Sequence, residues 1–467
     1  MYRQSFFFYD LETSGLSSRE DRIMQFAGQR TDMNFRPLGD PINLLVKMND
    51  DTLPSPGAIM VTGITPQATV RDGISEAELA RFLQEEIFVP NTISVGYNSV
   101  RFDDEFMRHF FWRNFYDPYT WQWREGRSRW DMLDVVRMTR ALRPEGINWP
   151  VTEDGKATNR LELLTKQNGI SHEAAHDALS DVTALIDVTK LIRDKQPQLF
   201  NYLFKMREKR EVKKLINLKN PAPIVYSSGH YGVKFGHTTV VYPLCETKNG
   251  NVMVFDLRHN LDDILSCPDE KKTDINSGYF NPDTFFPIAK ELCYNKCPAI
   301  APLGVLDAGD GWQKIDLAKD VVDKNLKSLL AHPEFVDKIR EIEESRPEYD
   351  KPIDPESALY ASFVPEVDQI RCNAVRNADA DGLADFHPNF ADERLPELLL
   401  HYKAKNFPSS LSEDEQKKWE EYRRSRLERK APAFLKELEE LEKSGDADPY
   451  ILEELRLWYQ SLASVDF

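Results

Sequence analysis

Two carboxylates separated by one residue, Asp10 and Glu12, follow a run of four aromatic residues near the start of the chain. The aromatic run is typical of a buried strand, and side chains i and i+2 of a strand lie on the same face. We therefore expect both carboxylates side by side where the strand ends. Adjacent carboxylates repel each other unless a cation binds between them, and such oxygen ligands suit Mg²⁺ or Mn²⁺. A strand end that meets a solvated turn is the open alternative.

Three further residues have the spacing to complete such a site. Asp103 lies shortly after the predicted strand over 92–98 and begins a predicted helix. His176 and Asp181 lie five residues apart on another predicted helix, which separates them by about 140° around its axis. Each has a structural explanation when taken alone, namely an N-cap for Asp103, a local hydrogen bond for His176 and a solvated position for Asp181. Their shared location at strand ends and helix starts predicts one carboxylate-rich site.

The elements that must position these residues form a mixed sheet flanked by helices. Strands are predicted over 5–12, 22–31, 42–48 and 92–98, the first three as an antiparallel meander. Helices are predicted over 75–87, 103–115, within 129–142, 160–169 and 176–193. Strands followed by helices that alternate with strands favour this mixed α/β arrangement.

The composition changes after about residue 205, where a β-rich region begins. Its strands are predicted over 224–228, 238–246 and 252–257. Asn249-Gly250 is typical of a hairpin turn, and the region as a whole indicates a small barrel or curled sheet. Beyond a proline-rich linker near 347–355 the chain is predicted to be helical, and its charged stretch over 412–441 is expected to form a solvated helix face. The predicted domains are 1–196, 197–350 and 351–467.

The bulk composition excludes several classes of protein. The chain has 467 residues, 41% of them hydrophobic and 29% charged, as is typical of a multidomain globular protein. No run approaches the roughly 18 consecutive apolar residues that span a bilayer, and the first core strand begins too early for a signal peptide. Five cysteines without zinc-site spacing indicate free thiols, so we expect a cytoplasmic protein. The net charge of −17 argues against non-specific binding to duplex DNA or to anionic membranes. A local basic groove can still bind nucleic-acid phosphates on an acidic protein.

The spacing of the chemical residues resembles a known enzyme family, the DEDDh 3′→5′ exonucleases, which have an RNase H-like fold. The matching motifs are Asp10-x-Glu12, Asn98-x-x-x-x-Asp103 and His176-x-Ala178-x-x-Asp181. Longer runs are similar to the bacterial exodeoxyribonuclease I family, at 63–67, 95–105, 113–119, 142–150, 295–298 and 402–408. The resemblance implies a multidomain α/β protein with an RNase H-like exonuclease domain, an SH3-like β-rich domain and a helical C-terminal domain.

The resemblance also implies a role for each motif residue. The four motif carboxylates would ligate two Mg²⁺ ions, which Mn²⁺ would replace, and His176 would be the general base that accepts a proton from water. Asp104 or Glu105 remains an alternative to Asp103, although the family pattern favours Asp103. The implied activity is processive 3′→5′ hydrolysis of single-stranded DNA to 5′-mononucleotides, in DNA repair and recombination.

A second set of residues is implied to hold the DNA strand. Residues 97–160 are dense in aromatic and arginine side chains, which grip single strands by stacking and by charge. The resemblance assigns DNA contacts to Arg108, Tyr119, Trp123, Arg137 and Arg160. The pocket for the terminal nucleotide would contain Glu12, Thr13, Thr62 and Thr65. Helix-cap or turn roles are equally open for the three threonines.

The resemblance further implies a protein partner. The family binds the acidic, hydrophobic C-terminal tail of single-stranded-DNA-binding protein, and Arg143 and Tyr202 are the candidate docking residues. We expect a monomer that acts on the 3′ ends of single-stranded DNA and binds no membrane. Two alternatives remain. An exoribonuclease of the DEDDh class is disfavoured by the long chain after the first domain, and a nuclease-dead DNA-binding scaffold is disfavoured by the intact motifs.

Overall fold

The computed structural model describes residues 2–172, 177–265, 289–345 and 353–463. Its strands are β1 (Ser5–Thr13), β2 (Ile23–Thr31), β3 (Ile42–Leu45), β4 (Thr92–Gly96), β5 (Ser128–Asp131), β6 (Ile224–Ser227), β7 (Thr238–Glu246), β8 (Val252–Asp256), β9 (Ala289–Leu292) and β10 (Ala299–Pro302).

The helices up to the β-rich region are α1 (Pro56–Thr62), α2 (Pro66–Asp72), α3 (Glu76–Phe82), α4 (Asp103–Arg113), α5 (Met132–Leu142), α6 (Leu161–Gln167), α7 (Ala178–Lys195), α8 (Pro197–Met206) and α9 (Lys209–Leu215). Those that follow are α10 (Leu261–Leu265), α11 (Gly311–Lys314), α12 (Lys319–Ala331), α13 (Pro333–Ser345), α14 (Glu366–Asn377), α15 (Ala380–Ala384), α16 (Leu395–Asn406), α17 (Glu413–Ser444) and α18 (Pro449–Ala463). No helix in these described stretches is long and apolar enough to cross a membrane.

The first sheet is mixed, as predicted, and has the strand order β3-β2-β1-β4-β5. β1 pairs antiparallel with β2, which pairs antiparallel with β3, so the predicted meander is confirmed. β1 also pairs in parallel with β4, which brings the carboxyl ends of these two strands to the same edge of the sheet. Phe7, Tyr9 and Leu11 of β1 pack into an aromatic core with residues of β2 and α4, including Phe26 and Phe106.

Two short helices, α1 and α2, lie between β3 and α3, in a stretch for which no helix or strand was predicted. Each helix begins with proline, and Ser55 and Thr65 cap them by accepting hydrogen bonds from backbone N–H groups. Proline suits the first position of a helix because the N–H that it lacks has no intrahelical partner there. The predicted helix over 75–87 begins with a capping box between Ser75 and Glu78, but its last turn, Leu83–Ile87, is π-helical.

The predicted β-rich region is a second sheet with the order β10-β6-β7-β8-β9, in which each neighbouring pair of strands is antiparallel. Gly250 has a φ of +70° in the turn between β7 and β8, as the Asn249-Gly250 pair predicts. Among the described residues, Cys245, Cys293, Cys297 and Cys372 form no disulfide, in agreement with the cysteine spacing.

The chain divides into two compact units. The first comprises Met1–Ser128, Glu173–Thr183 and Asp350–Phe467, and the second comprises Arg129–His172 and Ala184–Tyr349. The first unit therefore contains β1 to β4 together with the C-terminal helices α14 to α18. The boundaries of the three predicted domains stay a prediction.

Within the first unit, a buried ion cluster connects the β1–β2 region to the C-terminal helices. We use this name for Arg22, Asp51, Glu356, Lys405 and Arg426, each of which has a side chain no more than 4% exposed. Glu356 pairs with Arg22 and Lys405, and Asp51 lies 2.9 Å from Lys405 and 3.6 Å from Arg426. The expectation of a solvated face on α17 is thus wrong for Arg426, because its guanidinium is buried beside the carboxylate of Asp51.

Candidate metal centre and strand-binding residues

The carboxylates of Asp10, Glu12 and Asp181 come together at the end of β1. One oxygen from each lies within 4.8 Å of the others. Asp10 and Glu12 share a face of β1 because they are two residues apart, and Asp181 lies in the first turn of α7. The structure therefore brings together three residues that the motif spacing singled out.

Asp103 is the fourth member of this group, as the first residue of α4. Its side chain is buried, and its charge contributes to raising the pKa of both Asp10 and Glu12. We refer to Asp10, Glu12, Asp103 and Asp181 as the carboxylate group.

The two alternatives to Asp103 are engaged elsewhere. The Tyr9 hydroxyl donates a 2.6 Å hydrogen bond to Oδ1 of Asp104. Glu105 accepts a 2.6 Å hydrogen bond from Arg108 and another from the Tyr360 hydroxyl. These contacts favour Asp103 as the residue that faces the other three carboxylates.

Burial and mutual repulsion make the carboxylate group costly to ionise. Burial raises the pKa of Asp10 well above its usual value, and the neighbouring carboxylates raise it further. Burial also raises the pKa of Glu12 to about 8, with the charges of Asp181 and Asp103 adding to the effect. A divalent cation with a preference for oxygen ligands, such as Mg²⁺ or Mn²⁺, would relieve this repulsion. The donor set and its charge therefore fit a hard divalent metal.

A second cluster with metal-ligand chemistry has a different charge balance. Oxygens of Asp354 and Glu356 and a ring nitrogen of His401 also lie within 4.8 Å of one another. Burial opposes the ionisation of Glu356, but Lys405 and Arg22 outweigh it and hold the pKa of Glu356 well below its usual value. Protein cations already neutralise this cluster, so we assign it no metal.

We expect the metal-free protein to lose stability as the pH rises from about 5 to about 8. Glu12 has a pKa of about 8 in the folded chain, against 4.5 as its ordinary value. The unfolded state therefore binds fewer protons in this window, and the free energy of unfolding falls as the pH rises. Thermal melts in EDTA across this range measure the slope. Excess Mg²⁺, which binds ionised carboxylates, should flatten it, and equal slopes with and without Mg²⁺ would contradict the metal assignment.

The fifth motif residue, His176, lies outside the described residues. Asp177, which is not one of the motif residues, is among the described residues. Its carboxylate accepts a 3.2 Å hydrogen bond from the backbone N–H of Ser180 at the start of α7, and its charge contributes to raising the pKa of Glu12. An aspartate immediately before a helix is a cap signal, which is how the sequence marks this position.

The three aromatic residues of the loop over 119–123 differ in burial. Trp121 is fully buried in the aromatic core, whereas the side chain of Trp123 is 64% exposed. The Tyr119 ring is half-buried, and the guanidinium of Arg108 lies 5.7 Å from its centroid. Trp123 and Tyr119 are thus the two aromatic residues of this loop that have accessible ring surface.

The three predicted arginine contacts differ in how freely they face solvent. Arg108 is only 7% exposed and is held by Glu105 and by Oε1 of Gln122, at 2.9 Å, so protein side chains already orient its guanidinium. In the second unit, Arg137 forms a 2.6 Å ion pair with Asp134, and Arg160 is exposed directly before α6. Their contact with DNA stays a prediction.

The threonines of the predicted nucleotide pocket have cap and turn roles. Thr65 Oγ1 accepts from the N–H of Ala68 at 3.3 Å as the N-cap of α2. Thr62 accepts from the N–H of Ile64 at 3.3 Å, and Thr13 donates to the carbonyl of Gly15 at 2.8 Å. The structural alternative is therefore realised for all three, and a role in a nucleotide pocket stays a prediction.

The two candidate docking residues belong to the second unit. Arg143 follows α5 and donates to the carbonyls of Leu142 at 2.7 Å and Val305 at 3.2 Å. The hydroxyl oxygen of Tyr202 is buried and has no hydrogen-bond partner among the described residues, and burial raises its pKa to about 12. An unsatisfied buried hydroxyl is a group that a bound ligand can pair with.

Comparison with known proteins covers most of the chain. Family models match in three consecutive segments: "Exonuclease" over residues 7–189, "Exonuclease I SH3-like domain" over 207–344 and "Exonuclease I C-terminal domain" over 353–462. These matches confirm the predicted order of an RNase H-like exonuclease domain, an SH3-like domain and a helical C-terminal domain.

Individual relatives agree with the family models. Exodeoxyribonuclease I of Haemophilus influenzae is 40% identical over 444 residues, which are 94% of this chain and 93% of the relative. The structure of E. coli exonuclease I in complex with a dA16 oligonucleotide has a TM-score of 0.93 and 36% identity, covering 99% of this chain and all of the other. A crystal structure of SSB/exonuclease I in complex with the inhibitor CFAM has a TM-score of 0.89 and 35% identity, with the same coverage. The chain therefore belongs to the exodeoxyribonuclease I family.

Proposed function

We propose that this chain is a Mg²⁺-dependent exonuclease that hydrolyses single-stranded DNA from the 3′ end and releases 5′-mononucleotides. The observation that carries the proposal is the carboxylate group at the end of β1, in a chain whose relatives are exodeoxyribonucleases. A solved relative in complex with an oligonucleotide supports the choice of substrate.

The residues of the site divide the work of hydrolysis. Asp10, Glu12, Asp103 and Asp181 would hold two Mg²⁺ ions. When bound, Mg²⁺ would stabilise the negative charge that develops on the phosphate and on the leaving 3′ oxygen. His176 would accept the proton of the attacking water, since an imidazole titrates near neutral pH. β1 holds Asp10 and Glu12 rigidly because its preceding aromatic residues are buried.

The single strand would be gripped beside this site by stacking on aromatic rings. Trp123 and Tyr119 are accessible, and base stacking is tolerant of sequence because every base has a π-face. Processive action, a monomeric state, a cytoplasmic location and a role in DNA repair and recombination complete the proposal on the strength of the family resemblance.

The test of the proposed function compares single-stranded DNA and RNA that carry a label at the 3′ or the 5′ end, with Mg²⁺ or EDTA. We expect early release of a labelled mononucleotide from 3′-labelled DNA in Mg²⁺ only. Equal degradation of RNA would favour the exoribonuclease alternative. Binding of DNA without any hydrolysis in Mg²⁺ would favour the scaffold alternative.

We expect Trp123→Ala to weaken binding of a labelled oligothymidylate by about 10-fold, because stacking of a base on an aromatic ring contributes about 1–3 kcal/mol. Fluorescence anisotropy in EDTA measures binding without hydrolysis, and titration with Mn²⁺ checks that metal binding is unchanged. Tyr450→Ala is the matched control, since Tyr450 is also 64% exposed but lies at the start of α18. An equal loss of affinity in both variants would contradict a specific role for Trp123.

We further propose that the C-terminal tail of single-stranded-DNA-binding protein docks at Arg143 and Tyr202. The solved relative in complex with SSB supports the partner, and the unpaired hydroxyl of Tyr202 supports the place. Tyr202→Phe should weaken binding of an acidic, hydrophobic tail peptide by about 5-fold, the value of one hydrogen bond, without changing stability. Calorimetric titration measures this, with Tyr450→Phe as the control. Unchanged peptide affinity would place the dock elsewhere.

A further inference from the structure

A buried hydrogen bond links the two elements that carry Asp10 and Asp103. The Tyr9 hydroxyl donates to Oδ1 of Asp104 at 2.6 Å, and each of the two residues is only 1% exposed. Tyr9 immediately precedes Asp10 on β1, and Asp104 immediately follows Asp103 at the start of α4. Each partner is therefore covalently adjacent to one member of the carboxylate group.

Both ends of this hydrogen bond are fixed. The ring of Tyr9 stacks on Phe26, with centroids 6.2 Å apart, and meets Trp121 edge-on at 6.3 Å. The backbone N–H of Asp104 donates to the carbonyl of Ser99 at 2.8 Å. The hydroxyl and the carboxylate consequently have little freedom to change their separation.

The hydrogen bond between Tyr9 and Asp104 is directional, so it can fix the position of α4 along β1, which apolar packing alone does not do. The aromatic core presses α4 onto β1, but hydrophobic contacts are non-directional and tolerate small shifts of a helix along a strand. A short hydrogen bond between residues 95 positions apart in sequence fixes that shift. Metal ligands must be held within about 0.5 Å of the productive geometry, so the relative placement of Asp10 and Asp103 matters for metal binding.

We propose that Tyr9 and Asp104 are positioning residues that set the spacing of Asp10 and Asp103 and thereby the affinity of the carboxylate group for divalent metal. The inference rests on the proposed function, in which this group binds Mg²⁺. Neither residue would touch the metal or the DNA, and their effect on hydrolysis would pass through the two carboxylates beside them.

The test removes the hydroxyl with Tyr9→Phe in the full-length chain and titrates Mn²⁺ alone by electron paramagnetic resonance. We expect the dissociation constant for Mn²⁺ to rise about 10-fold, which is the lower end of the loss when a residue that supports the metal ligands is replaced. The Mg²⁺ concentration that gives half-maximal hydrolysis should rise by a similar factor, while the rate at saturating Mg²⁺ stays within about 2-fold of the wild type. A merely structural role would lower the melting temperature without moving either metal dependence.

Two further variants keep the test decisive. Asp104→Asn retains an oxygen that accepts the Tyr9 hydrogen bond, so it should bind Mn²⁺ within about 3-fold of the wild type even if Tyr9→Phe folds poorly. Tyr459→Phe removes a hydroxyl from a partly buried ring that stacks on Phe434, and it should leave metal binding unchanged.

The experiment distinguishes a failure of the Tyr9–Asp104 proposal from a failure of the proposed function. Equal affinity of the wild type and Tyr9→Phe for Mn²⁺ would overturn the inference and leave the proposed function standing. A loss in Asp104→Asn as large as that in Tyr9→Phe would also overturn it, because charge rather than the hydrogen bond would then be responsible. A wild type that binds no Mn²⁺ would overturn the proposed function, and the inference with it.

Discussion

Replacing Asp181 with Asn is expected to slow DNA hydrolysis by about 10³-fold or more while making the metal-free protein slightly more stable. The carboxylate of Asp181 lies within 4.8 Å of those of Asp10 and Glu12, and its charge raises the pKa of both. An amide of the same shape lacks the negative charge that holds a divalent cation, and loss of metal assistance corresponds to about 4 kcal/mol or more in the barrier. Removal of one repelling charge meanwhile relieves the metal-free site.

A lower hydrolysis rate together with a higher stability in EDTA would distinguish loss of metal binding from damage to the fold, because damage lowers both. Single-turnover hydrolysis of a 3′-labelled oligonucleotide measures the rate, and thermal melts in EDTA measure stability. Mg²⁺ should raise the melting temperature of the wild type and leave that of Asp181→Asn almost unchanged. A slow variant that is also less stable in EDTA would indicate structural damage, and a fully active variant would refute the metal assignment.

Asp177→Asn is the matched control for this experiment. Asp177 is also an acidic residue at the start of α7 that acts on Glu12, but it is the smallest of the four causes of the shift in the pKa of Glu12. Asparagine caps a helix as well as aspartate does, so the hydrogen bond from the N–H of Ser180 should persist. We expect a change of less than about 5-fold in the hydrolysis rate, because the substitution removes the charge with the smallest effect on Glu12 and removes no predicted metal ligand.

The residues of the candidate site were predictable where the relevant geometry is local. Asp10 and Glu12 are two apart on a strand, and a period of two places them on one face whatever the rest of the chain does. The choice among Asp103, Asp104 and Glu105 is different, since consecutive residues at a helix start point about 100° apart. Which one faces β1's carboxylates depends on contacts made by the other two, with Tyr9 and with Arg108.

Burial of charge was the feature least visible in the sequence. The stretch around Arg423 and Arg426 is one of the most charged in the chain and was expected to be solvated, yet both side chains are buried at about 3–4% exposure. An arginine is buried only where a carboxylate or another acceptor pairs with it. The partner of Arg426 is Asp51, which lies 375 residues earlier in the chain. A charge pattern within one helix carries no information about such a distant partner.

Replacing Glu356 with Gln is expected to lower the free energy of unfolding by about 3–5 kcal/mol, since it removes one charge from a buried and balanced set of ions. The side chain of Glu356 is 1% exposed and pairs with Arg22 and Lys405. Glutamine keeps the shape of the side chain but leaves these two cations with less negative charge in a region that water does not reach. Urea denaturation followed by tryptophan fluorescence measures the loss.

The dependence of this loss on pH identifies its cause. Cations hold the pKa of Glu356 well below its ordinary value of 4.5, despite burial, so the folded state keeps the carboxylate ionised at a pH where the unfolded chain binds a proton. The stabilisation from this ionisation is thus complete above about pH 5 and is lost as the pH falls below it. Glu356→Gln should therefore differ most from the wild type at neutral pH, and the two should converge in acid.

An exposed ion pair provides the control for the Glu356 substitution. Glu439 pairs with Lys443 one turn further along α17 at 2.5 Å, with side chains that are 63% and 70% exposed. Solvent screens that pair, so Glu439→Gln should leave the denaturation midpoint unchanged at any pH. If both variants behaved alike, the cluster around Glu356 would be as well solvated as the helix surface. The ion pairs of Arg22 and Lys405 with Glu356 would then contribute nothing to the attachment of the C-terminal helices within the first unit.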